Sequence, residues 1–152
     1  MSNRYDNINQ IEEVVRGFET CSTSKEDFNH SRHLTIALWY LSHNTFEEAA
    51  DLMRTGLFRF IKHHNIPSEK YNETITLFWL RLVRAFAEKA HPLRSGKLTL
   101  ELTAKQLVPL ANELIQTFAS AKLMLDYYSE RLMNSTEAKR AEVAPDRKQF
   151  DF

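Results

Sequence analysis

Two stretches of this chain are apolar on nearly every helical face, and a helix of that kind has to be covered from several sides. The first is Leu34-Thr35-Ile36-Ala37-Leu38-Trp39-Tyr40-Leu41. The second runs from Thr74 to Val83, where only Thr74, Thr76 and Arg81 are not strongly apolar. Two such rods predict a bundle built around them, with central helices over about 31–42 and 69–90. The other periodic segments are amphipathic and suit the outside. Ile8, Ile11, Val15 and Phe18 recur at helical spacing, as do Ala49, Ala50, Met53, Leu57 and Phe60, and then Leu107, Leu110, Ala111, Leu114 and Ile115.

Only 3 Gly and 4 Pro leave few tight turns, which disfavours all-β folds. The reading is therefore all-α: one domain of five to six helices over 1–134, then an irregular tail or strap over 135–152. A length of 152 residues suits one domain with a substantial core. Thr45-Phe46-Glu47-Glu48 predicts a capping box, and Asn65-Ile66-Pro67 a helix stop. Ser68 is the expected cap of the fourth helix, and Thr103 that of the fifth. Pro109 predicts a kink or a late start in the fifth helix. A short sixth helix is expected from Ala121 to Tyr128, one further turn from Ser135, and Phe150 and Phe152 as pins for the tail.

Charge narrows the partners. Twenty basic and twenty acidic side chains cancel, which removes the main argument for nucleic acid. The longest purely apolar run, Ile36 to Leu41, is far short of the roughly 20 residues that cross a bilayer. The start, Met1-Ser2-Asn3-Arg4-Tyr5-Asp6, is polar and does not read as a signal core. A single cysteine, Cys21, forms no internal disulfide and suits a reducing cytoplasm.

Buried polar groups at the ends of apolar helices are the places to look for chemistry. Asn29-His30-Ser31-Arg32-His33 opens the second helix, and Tyr71-Asn72-Glu73-Thr74 opens the fourth. His30 and His33, three apart, share a helical face. In an up-down bundle the second and fourth helices run parallel, so both openings lie at one end of the molecule. That placement predicts a polar pocket walled by His30, His33, Asn72, Glu73 and Thr74, with Trp39 and Trp79 as apolar flooring. Free N–H groups at helix starts suit an anionic small ligand. An enzyme version uses Glu73 or His33 as general base. A metal version uses His30, His33 and Glu73, with Cys21 or Asp27 added; the residue types suit zinc or iron, but the Glu-x-x-His spacing of bundle metal sites is missing. The structural alternative has His33 satisfied in the core and His30 exposed. A non-catalytic alternative has the first or fifth helix, with Tyr5, Phe150 and Phe152, presenting an apolar stripe to a partner or to a second copy in a homodimer.

The same residues carry a resemblance. Phe18-Glu19-Thr20-Cys21, Phe28-Asn29-His30-Ser31-Arg32-His33-Leu34, Tyr71-Asn72-Glu73-Thr74-Ile75-Thr76, Tyr127-Tyr128-Ser129-Glu130-Arg131-Leu132 and Ala144-Pro145-Asp146 resemble segments of a widespread group of small, uncharacterised bacterial proteins. The resemblance implies an all-helical, bacterial, cytosolic protein, and brings no activity or cofactor with it. Asn72 stands where that group often has His. Asn can hydrogen-bond there but cannot titrate.

Overall fold

The computed structural model describes residues 4–152; the polar start Met1-Ser2-Asn3 lies outside the described residues. Helix α1 (Ile8–Glu19) begins at Asn7, whose side chain accepts the Gln10 N–H at 3.2 Å. It buries Ile11, Val15 and Phe18 on one stripe. It ends where Cys21 turns into the left-handed region, with φ 59°. The loop then folds back, so that the Thr23 N–H reaches the Gly17 carbonyl at 3.1 Å.

Helix α2 (His30–His43) is capped by Asn29, and of Leu34 to Leu41 only Trp39 is not buried. A two-residue turn leads into α3 (Phe46–His63). Thr45 Oγ accepts the Glu48 N–H at 3.2 Å, as a capping box requires. The Glu48 carboxylate, however, takes the Thr45 hydroxyl at 2.9 Å and not the backbone N–H, so the box forms only in half. Asn65, with φ 55°, makes the left-handed exit that its side chain tolerates.

The fourth helix departs from expectation at its start. Ser68–Lys70 form a 3-10 turn, Tyr71 is extended, and α4 (Glu73–Ala90) begins behind Asn72. The Asn72 side chain accepts the Ile75 N–H at 3.0 Å and donates to the Met133 carbonyl at 2.7 Å. A cap with a tertiary bond of its own therefore displaces Ser68 as the start. Helix α5 (Ala104–Thr117) carries a full capping box between Thr103 and Gln106. It runs through Pro109 without a late start, because the box fixes the first turn ahead of the proline. The carbonyl that Pro109 cannot serve belongs to Lys105, on the solvent side. The expected sixth helix is a 3-10 segment, Ala121–Asp126.

Among the described residues every regular element is helical. Two short helices follow the 3-10 segment, α6 (Glu130–Met133) and α7 (Thr136–Arg140), the latter capped by Ser135. The chain beyond forms a strap. Tyr128 donates to the Val143 carbonyl at 2.9 Å, Ser129 donates to Asp146, and Tyr127 donates to Asp151. Phe150 and Phe152 pack on Phe78 and Tyr127.

Helix α2 packs against α1, α3, α4 and α5, which is why it is apolar all round. Arg81 lies 5.0 Å over Phe46 at the start of α3, and eight residues later Arg54 meets Glu73. Helices α3 and α4 are thus antiparallel, and α2, joined to α3 by a tight turn, runs with α4. Phe18 is fully buried against Phe28, Phe60 and the backbone at Gly56. Burying a ring of that size contributes roughly 2–3 kcal/mol. The stripes of α1 and α5 are covered by the chain's own core, and Tyr5 is held by Asn112 and by the Thr35 hydroxyl. No helix among the described residues is long and apolar enough to cross a membrane.

Candidate functional site

The parallel run of α2 and α4 brings their first turns to one end, as the sequence predicts. His30 and His33 from α2, and Asn72, Ile75, Thr76 and Trp79 from α4, line one cleft of about 300 Å³. Phe28, Leu57 and Ile61 make most of the rest of its wall apolar, and Lys70 stands in its lining as the single cation.

The two imidazoles differ in state. His30 Nε2 donates to the Phe118 carbonyl at 2.9 Å, and the ring meets Trp79 edge-on at 4.5 Å. Burial pushes its pKa down, partly offset by that carbonyl. His33 reaches no hydrogen-bond partner among the described residues; its ring stands edge-on to Phe28 at 6.1 Å. Burial, and then the neighbouring His30, push its pKa down to about 4. At neutral pH His33 therefore contributes an uncharged ring, with one N–H and one lone pair, to the lining of the cleft. The structural alternative expects the core hydrogen bond at His33 and an exposed His30; instead His30, half-buried, makes the bond. The carbonyl that ties His30 belongs to Phe118, freed at the end of α5, and a backbone group leaves no mark in a sequence.

Two of the expected wall residues, Glu73 and Thr74, and one of the expected floor residues, Trp39, lie elsewhere. Glu73 instead lines a second cleft, of about 570 Å³, where Arg54 donates to its two oxygens through Nε and Nη2 at 3.1 and 2.6 Å and Tyr71 donates to it as well. Burial raises the Glu73 pKa, but the bonds from Arg54 and Tyr71 and the Arg54 charge outweigh it, leaving the carboxyl below its usual range. Such a carboxylate is a weak base. His33, at about 4, is also too weak to hold a catalytic proton near neutrality.

Thr74 is fully buried and serves the strap. Its hydroxyl donates to the Ala138 carbonyl at 2.7 Å, lies 3.0 Å from that of Ala141, and accepts the Val143 N–H at 3.2 Å. Trp39 turns to the far end of α2, where it packs at a tilt against His43, with ring centres 4.3 Å apart. It is seven residues beyond Arg32 on a helix whose other end holds the cleft, so spacing along α2 alone excludes it from the floor. Trp79 does line the cleft.

With Glu73 removed, the metal set His30, His33 and Glu73 does not assemble. Cys21 is buried at the end of α1 and Asp27 is exposed. Among the described residues no three histidine, cysteine or acidic side chains gather to hold a metal ion. The residues missed by the sequence reading are Phe28, Lys70 and Arg54. Phe28 was legible as the apolar residue before the Asn29 cap; Arg54 required the antiparallel register of α3 and α4.

No protein-family model, curated protein or solved structure matches the chain.

Proposed function

We propose that the protein binds a small organic acid in the cleft between the first turns of α2 and α4. The apolar body of the ligand lies against Phe28, Ile75 and Trp79. One of its polar atoms bonds to the His33 ring, and its carboxylate pairs with Lys70. The observation that carries this reading is His33: a neutral imidazole without a protein partner, turned towards an apolar-lined cleft. A ligand atom that pairs with this ring adds a hydrogen bond worth about 0.5–1.5 kcal/mol. Asn29 and Asn72 already take one N–H from each helix start, so Lys70 supplies the attraction for an anion.

Phenylacetate is a suitable probe, with phenylacetamide as its uncharged match. Titration followed by amide NMR shifts is expected to move residues around 28–33, 70–79 and 121, with phenylacetate the tighter of the two. His33→Phe keeps the bulk and removes the ring nitrogens, and should weaken binding by about tenfold, the worth of one hydrogen bond of about 1.4 kcal/mol. Unchanged affinity in His33→Phe, or shifts elsewhere in the fold, would refute the reading.

A further inference from the structure

The second cleft supports a separate site. It lies between the later part of α3, the 68–71 turn and α7, and it shares only Tyr71 with the first. Its half-buried acid, Glu73, is already neutralised by Arg54. Two further cations, Lys139 and Arg140, line the same space. Neither side chain has an ion pair or hydrogen bond among the described residues. Beside them Phe58 is 46% exposed, held from behind by Tyr71 at 4.4 Å between ring centres. An exposed aromatic ring backed by a second ring is a stacking shelf, and it stands in one concavity with unpaired positive charge.

We infer that this cleft binds a small aromatic phosphate of mononucleotide size. The ring of the ligand stacks on Phe58, and its phosphate is held by Lys139 and Arg140. A phosphomonoester carries about −1.5 to −2 charges at neutral pH, which matches two adjacent cations better than a single carboxylate does. A cleft of about 570 Å³ lies in the range that takes ligands of this size. Glu69 also lines the cleft and opposes the anion, so it tunes affinity downwards. The inference stands apart from the proposed function, since Phe58, Lys139 and Arg140, which would touch the ligand, do not line the first cleft.

The test is an amide NMR titration with adenosine 5′-monophosphate, adenosine and inorganic phosphate, run on the wild type, Phe58→Ala and the double variant Lys139→Ala/Arg140→Ala. All three substituted side chains are exposed or half-buried, and the unliganded spectra report whether the fold is kept. The nucleotide should shift amides around 54–58, 68–73 and 136–140, and bind at least tenfold more tightly than adenosine or phosphate alone. Phe58→Ala should weaken it by roughly tenfold, the size of one base–aromatic stack, and the double variant by at least as much. Glu69→Gln should tighten it. Three results would overturn the inference: no shift in this cleft by about 5 mM nucleotide, far weaker than a functional site requires; equal binding of adenosine or phosphate alone; or affinity unchanged in either cleft variant.

Discussion

Thr74→Val replaces a hydroxyl by a methyl of nearly the same shape, and the position shows how a buried polar atom can hold a strap in place. In the wild type the hydroxyl donates at 2.7 Å to the carbonyl of Ala138 and accepts the Val143 N–H at 3.2 Å, while the Ala141 carbonyl lies 3.0 Å away. Ala138 has no exposed surface, so water cannot readily replace the lost donor there. Val143 is half-buried and Ala141 exposed, so those groups can rehydrate in part. One buried carbonyl left unpaired costs about 1–3 kcal/mol, and the weakened bond to Val143 adds about 0.5–1 kcal/mol. The expected loss is therefore about 1.5–4 kcal/mol in urea unfolding at neutral pH. Hydrogen exchange gives the local readout: the Val143 amide, and those of α7, should lose protection before the rest of the bundle. Thr74→Ser keeps the hydroxyl, and should lose only about 1 kcal/mol for the missing methyl while preserving the Val143 protection. A loss below about 0.5 kcal/mol in Thr74→Val, or an unchanged Val143 amide, would refute the assignment of Thr74 as the anchor of the strap.

Other perturbations probe the rest of the framework. Gly56→Ala places a Cβ 2.4 Å from the Phe18 ring, so overpacking of about 2–3 kcal/mol should outweigh the gain of about 1 kcal/mol in helix propensity, lowering the melting temperature. The Glu73–Arg54 pair contributes stability that is fully present above the ordinary carboxylate pKa and lost as pH falls through the depressed folded value. The gap in melting temperature between wild type and Glu73→Gln should thus be wide at pH 7 and close in acid. His33 acts in a different window. Its folded pKa, about 4, lies below the ordinary 6.5, so the unfolded chain takes up its proton first and stability falls as pH drops between those values. His33→Gln should flatten that part of the pH profile; an unchanged slope from pH 6.5 to 4 would contradict the burial of a neutral ring.

Much of the frame was legible because it follows from pattern. The two all-round apolar stretches could only be central, and the alternation of short turns made α2 and α4 parallel, which brought His30, His33, Asn72 and Trp79 together. What was not legible depended on rotation and on backbone groups. Glu73 and Thr74 are consecutive helical residues, so one step of about 100° sends them to Arg54 and to the strap, while Asn72, extended ahead of the helix, stays at the first cleft. Treating them as one wall ignored that rotation. Ser68 resembles a helix cap in sequence, but Tyr71 packs beneath Phe58 in an extended conformation and Asn72 begins the helix instead. The pairing of His30 with the Phe118 carbonyl needed the end of α5 to be placed in three dimensions.

The central claim concerns the state of one imidazole, and ring-nitrogen NMR of His33 measures it directly. Spectra recorded from pH 7 down to pH 4 should show a neutral ring throughout most of that range, titrating near 4. Addition of phenylacetate at neutral pH should move the His33 ring nitrogens by forming the bond that the free protein lacks. A ring that titrates near 6.5 and keeps its shifts when phenylacetate is added would contradict the account.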